Sequence, residues 1–234
     1  MKLAIMQPYL FPYFGYYQLI NAVDKFVVYD DVNFIKQGWI NRNNILVNGN
    51  SYLFTVPLNN QSSFNKINVT TVNEKIYFSW TNKFLKTIEQ NYNKAPFYNE
   101  VFPLLKKVFQ IDENHISSIA VKSLKLISDY IGIETIFENS SEKYKNQYLS
   151  SQERVLDICI KEQTNHYINP IGGLDLYSKQ DFSEKGILLN FIKSKKVEYI
   201  QFNDKFVPNL SIIDMLMFND ISSIKIFLND YELI

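Results

Sequence analysis

The first thirty-one residues constrain the fold more than any other part of the chain. Residues 2–6, KLAIM, are a short apolar run closed by Gln7-Pro8. From Tyr13 to Val23 the side chains of Tyr16, Leu19, Ile20 and Val23 recur at helical spacing, and Lys25–Tyr29 (KFVVY) is a second apolar run ending at Asp30-Asp31. A strand that is buried on both faces reads as a continuous apolar run, and an amphipathic helix shows apolar positions three and four residues apart. The order strand–turn–helix–strand is therefore expected here. That unit builds parallel sheets covered by helices.

The rest of the chain extends the same theme. Two β-rich runs within residues 44–57 flank Asn48-Gly49, a strong hairpin signal. Residues 74–92, 97–109 and 116–131 carry helical periodicity, with Pro96 dividing the first two and Gly132 suited to cap the third. Strands are expected at Ile133–Phe137, His166–Asn169 and residues 186–192. Helices are expected after the capping-box pattern Ser150-x-x-Glu153, near 178–185, and at 211–218 and 220–231. The class is thus α/β, a mostly parallel Rossmann-like sheet flanked by helices, with a β-hairpin and a helical insertion at about 74–131. No linker or repeat divides residues 1–234, so a single domain is expected.

Composition narrows the function. Lysine plus arginine equals aspartate plus glutamate at 24 each, so the global basic footprint of a DNA-binding protein is missing. One cysteine excludes a disulfide framework, and with two histidines it makes a cysteine- or histidine-rich metal site improbable, so no metal ligands are assigned. No apolar run approaches the length of a membrane span, and the start lacks a signal-peptide cleavage pattern, which together predict a cytoplasmic protein.

Three segments carry candidate chemistry. In the first turn, Gln7, Pro8, Tyr9, Gly15 and Tyr16 stand where a parallel sheet collects ligands, between a strand end and a helix start. Gly15 would let a ligand approach the backbone. Next, Asp30 and Asp31 end the second strand and precede Lys36, Trp39, Asn41, Arg42 and Asn43. A strand-end acid can act as a base or bind a sugar hydroxyl, and an arginine fork suits phosphate. The third segment runs from His166 through Asn169, Gly172 and Gly173 to Asp175, with the paired glycines a candidate anion nest. Each has a plainer structural explanation as turn-shaping, packing or solvated residues. Asp214 reads as a first-turn residue of a helix, Ser211 or Asn209 as its cap, and Cys159 as core.

Four blocks in this order, AIMQPYLFPYFGYYQLI, DKFVVYDDVNFIKQGWINRNNI, HYINPIGGLDLY and YIQFNDKFVPNLSIIDMLMFN, resemble the WbqC-like family of bacterial proteins. The resemblance spans nearly the whole chain. It implies a place in surface-polysaccharide (O-antigen) biosynthesis and an aminoacyl (glycyl) or acyl transfer to a nucleotide-linked amino sugar. Such a reaction needs a base for the attacking amine. Asp30 or Asp31 is expected in that role, with His166 and Asp175 as further candidates. Lys36 and Arg42 are expected to hold the diphosphate, and Tyr9 and Trp39 to stack on base or sugar. The donor is open between glycyl-tRNA, an adenylate made from ATP with magnesium, and another ester or thioester. The opening also resembles the HIGH-motif nucleotidyltransferase superfold, although Pro12–Tyr16 lacks that motif's histidines. Nucleotidyl transfer with magnesium near Asp30 or Asp31, and a non-catalytic sugar-nucleotide binding role, are the alternatives.

Overall fold

The opening pattern folds as its periodicity dictates. In the computed structural model, which describes residues 1–59, 61–110, 114–202 and 205–234, β1 (Lys2–Met6), α1 (Phe14–Asn21) and β2 (Lys25–Val28) form a right-sized crossover. β1 and β2 pair in parallel from Leu3↔Lys25 to Met6↔Val28. A separate antiparallel hairpin follows, β3 (Arg42–Val47) against β4 (Asn50–Thr55), turning at Asn48 and Gly49. Both turn residues have positive φ, 51° and 75°, which Asn and Gly tolerate best. Helices α2 (Glu74–Tyr92), α3 (Tyr98–Phe109) and α4 (Ile116–Ile131) come next, and α4 ends at Gly132 in the left-handed conformation.

The second half completes the sheet with β5 (Ile136–Glu138), α5 (Ser151–Lys161), β6 (His166–Pro170), α6 (Lys179–Ser183) and β7 (Leu188–Ser194). Then α7 (Ile212–Phe218), α8 (Ile221–Leu228) and β8 (Tyr231–Leu233) close the chain. The six strands lie in the order β5-β2-β1-β6-β7-β8, all parallel except β8, which runs antiparallel to β7. Strand order reverses between β1 and β6. The crevice at the carboxyl ends beside such a reversal is where ligands bind in open α/β sheets.

Alternation along the strands feeds two cores, one on each face. Ala4, Phe26 and Val28 face the larger one, with α1, α3, α4, α7 and the hairpin. Leu3, Ile5 and Val27 face the smaller one, with Val155 and Ile158 of α5, Tyr167 and Phe182. Among the described residues no helix is long and apolar enough to cross a membrane.

Some local expectations differ from the structure. Ser150 caps α5 in position, but its side chain makes no capping bond because the next residue, Ser151, takes a left-handed φ of 47° and turns the helix start away. β5 begins three residues later than its apolar run. Ile133 is first tied by its N–H to the Ser128 carbonyl, and Thr135 donates to the carbonyls of Ile20 and Val23. The terminal helix stops at Leu228, and the following residues add β8 to the sheet edge.

Phe26 is fully buried between Tyr16 (ring centroids 5.6 Å apart) and Phe137 (5.5 Å). Phe26→Ala removes the ring on which α1 and β5 meet, and should cost about 3–5 kcal/mol. Urea unfolding should show a lower midpoint with an unchanged slope. A loss below 1 kcal/mol would mean that the core is not organised around this residue.

Candidate functional site

The two adjacent acids at the end of β2 meet different fates. Asp31 is buried, and its carboxylate accepts hydrogen bonds from Arg154 (2.5 Å), Gln147 (2.8 Å) and the Ser141 hydroxyl. Arg154, itself 4% exposed, also bonds Asn146 and lies 4.9 Å from the Tyr29 ring centroid. Burial alone would push the Asp31 pKa up, but the Ser141 and Arg154 bonds and the guanidinium charge hold it below the ordinary carboxylate value. Asp31 is thus committed to an internal ion pair that joins β2 to α5.

Asp30 has no cation partner among the described residues. Its Oδ1 accepts from the Ser140 hydroxyl at 2.7 Å and the Ser141 N–H at 3.2 Å. Burial pushes its pKa up to about 6, against the lowering effect of those two bonds and with the Asp31 charge adding to the rise. A carboxyl whose pKa lies this close below neutrality is mostly ionised at pH 7 yet basic enough to take a proton.

Asp30 sits in the wall of a cleft of about 730 Å³ at the carboxyl ends of β2 and β5. The turn after β5 supplies Ser140 and Glu142, and a 3₁₀ turn at Ile67–Val69 supplies Asn68 and Val69. Helix α4 supplies Ser117, Lys122 and Lys125, and its N-cap residue is His115, also in the lining. The Asp30 carbonyl receives the Asn68 N–H at 2.9 Å, which fixes the acid's backbone against that turn.

The other sequence candidates disperse. His166 opens β6 at the opposite, amino-terminal edge of the sheet, in register with Lys2. Its Nε2 pairs with Asn190 at 2.9 Å, and burial lowers its pKa. Asp175 is exposed in the turn after β6. Lys36 and Trp39 lie on an exposed connection and half-buried Arg42 opens β3, all outside the Asp30 cleft; Arg42 folds back to donate to the carbonyls of Gln37 and Gly38, 5.7 Å from the Trp39 ring. Asn41 and Asn43 are buried and donate to the carbonyls of Val56 and Phe11, so Asn41 ties the open ends of the hairpin together and Asn43 holds the hairpin to the connection after β1.

The first turn packs inward. The Tyr16 hydroxyl donates to the Gln7 carbonyl at 2.6 Å, Tyr9 packs on Tyr16 at 5.5 Å, and Pro8 is buried. Gly15 is small for a neighbour of its own chain, since an added Cβ would lie 2.5 Å from the Ser194 hydroxyl. It borders a second cleft of about 360 Å³ beside Lys195 and Lys196, whose ammonium groups pair with Asp230 and Glu198. Gly173 is likewise required by packing, because a Cβ there would strike the Asn169 side chain, whereas one at Gly172 would enter open space. Asp214 is fully buried and accepts from Tyr92, Tyr199 and Gln201 instead of serving an exposed helix start.

Sequence reasoning missed Ser140, Lys122, Lys125 and Arg154. Only Arg154 left a sequence signal, as a charged residue set in the apolar stripe of α5 beside Val155 and Ile158.

Comparison with known proteins bears on the whole chain. A sequence model of the WbqC-like protein family matches residues 7–226. The chain is 28% identical over 219 residues to "Uncharacterized protein Rv1507c" of Mycobacterium tuberculosis, covering 92% of both proteins. No solved structure matches significantly.

Arg154→Met leaves Asp31 buried without its cation and should lower stability at pH 7 by about 3–5 kcal/mol. Asp31→Asn added to that variant should recover part of the loss. Denaturant titration of the three proteins checks this. Additive losses would show that the two side chains do not interact.

Proposed function

Since the chain belongs to the WbqC-like protein family, we propose that it is an acyl transferase, with a nucleotide-linked amino sugar as acceptor and glycine as the favoured acyl group. The observation that carries this reading is the division of labour at the end of β2. Asp31 is neutralised by Arg154, while Asp30 faces a cleft with its pKa raised to about 6.

The sugar amine attacks the activated acyl carbon, a C–N bond forms, and the bond from that carbon to the donor oxygen or sulfur breaks. The proton lost by the amine passes to the Asp30 carboxylate, and the leaving group carries away the electron pair. Ser140 and the Ser141 N–H hold one carboxylate oxygen in place, so the other is left to take the proton. The cleft volume falls within the range of small-molecule sites. An O-antigen pathway suits an acceptor of this type, and the donor is glycyl-tRNA, an adenylate formed from ATP with magnesium, or another ester or thioester.

Mass spectrometry of 3-amino and 4-amino deoxysugar nucleotides, incubated with glycine, ATP and magnesium or with glycyl-tRNA, tests the reaction. A product heavier by one glycyl unit is expected. Conversion of ATP to pyrophosphate with the sugar unchanged would favour nucleotidyl transfer instead. Because the base works deprotonated, kcat/KM should rise with pH through about 6 and level off above it. Asp30→Asn should lower kcat at least ~100-fold. An undiminished rate in that variant would remove Asp30 from the mechanism.

A further inference from the structure

The Asp30 cleft has walls of opposite charge. On α4, Ser118, Lys122 and Lys125 follow one another at spacings of four and three residues, which sets them along one helix face. Asp30 and Glu142 occupy the wall formed by the ends of β2 and β5. Val69, Val121 and Leu126 supply the apolar lining between.

Both lysines are half-buried. Lys122 Nζ donates to the Gln110 carbonyl, and Lys125 Nζ lies 6.0 Å from the Phe137 ring centroid. Among the described residues neither comes within ion-pair distance of a carboxylate. Two half-buried ammonium groups lining one cleft lose part of their hydration, and an anion bound in that cleft offsets the cost.

We propose that the cleft binds a ligand with a phosphate or diphosphate ester at one end and a primary amine at the other. Lys122 and Lys125 hold the phosphate oxygens, and Asp30 with Glu142 receives the amine. Ammonium groups act as point charges toward phosphate, so they tolerate a diphosphate that differs in orientation between the free and reacting states. The opposed acids select an amino sugar over its hydroxyl analogue, because a protonated amine satisfies carboxylates that a neutral hydroxyl leaves undercompensated; the bound ammonium gives one proton to solvent before the attack in which Asp30 takes the other. The assignment of the amine rests on the transferase proposal above, while the phosphate subsite stands on the lysine pair alone. It also moves the diphosphate contact from Lys36 and Arg42 to α4.

Calorimetric titration with uridine diphosphate, the same nucleotide linked to a 4-amino deoxysugar, and ATP tests the proposal. The proteins compared are the wild type, Lys122→Met, Lys125→Met, Glu142→Gln and a control, Lys83→Met, on the exposed face of α2. Thermal melts establish that each variant is folded. Each cleft lysine variant should bind both uridine ligands about tenfold more weakly, and Lys83→Met should match the wild type. Glu142→Gln should weaken only the amino-sugar nucleotide.

Wild-type protein that fails to bind uridine diphosphate at millimolar concentration would overturn the subsite, as would cleft lysine variants that bind as tightly as wild type. Equal losses for both uridine ligands in Glu142→Gln would overturn the amine end. If ATP alone shows the lysine dependence, the cleft holds a donor triphosphate and the sugar-nucleotide assignment fails. Lysine-dependent binding without any glycyl product would keep the subsite and discard the acyl-transfer reading. Product formed with lysine-variant KM values equal to wild type would do the reverse.

Discussion

A buried ion pair organises the functional edge of this protein. Asp31 and Arg154 meet where β2 ends, and Ser141 and Gln147 complete the ring of donors around the carboxylate. Without Arg154 the Asp31 charge would sit in a low-dielectric interior, so the pairing decides which way the chain turns after β2. The same Ser140-Ser141 segment that serves Asp31 also bonds Asp30. One short turn thereby quiets one acid and presents the other. A cleft built this way keeps its carboxyl in a fixed orientation because the turn that supports it is itself tied to α5 through Asp31 and Arg154.

The fold was largely legible because its signals are local. Continuous apolar runs marked β1 and β2, Asn48-Gly49 marked the hairpin, and Ser211 caps α7 by accepting the Ile213 N–H as its position implied. The failures are tertiary. Nothing local distinguishes β8 from a helix end, since its three residues become a strand only by pairing with β7. The site was legible to the level of residue type. Asp30 and Asp31 stood out together, but their division depends on Arg154, more than a hundred residues away. Lys36 and Arg42 looked right for phosphate because they follow the acids in sequence. Lys122 and Lys125 come to line the same cleft as Asp30 through folding, on a helix whose pattern announced only packing.

The connection after β1 shows how a motif-rich segment can be occupied by architecture. The Phe11 carbonyl receives hydrogen bonds from Asn43 and Ser211, the Phe11 N–H donates to Ser123, and the Pro12 carbonyl receives the Ile212 N–H. Phe11 itself is fully buried with a φ of 44°, a strained value for an aromatic residue. Three separate elements, β3, α4 and α7, therefore converge on two residues. The aromatic and proline density of this turn is explained by that convergence, and it fixes the entry of α1 against the sheet.

The strand order carries a consequence for how the chain is made. β1 lies in the middle of the sheet, yet its neighbour on one side, β6, is among the later strands to leave the ribosome. At a synthesis rate of ~5–20 residues per second, that side waits on the order of ten to thirty seconds for its partner. During that interval β2 guards one edge of β1 while the other stays open, and the nascent chain depends on α1 or a cellular chaperone to shield it. Of the six strands, β1 thus waits longest for its second neighbour, and the molecule's vulnerability to aggregation lies in its birth more than in its finished state.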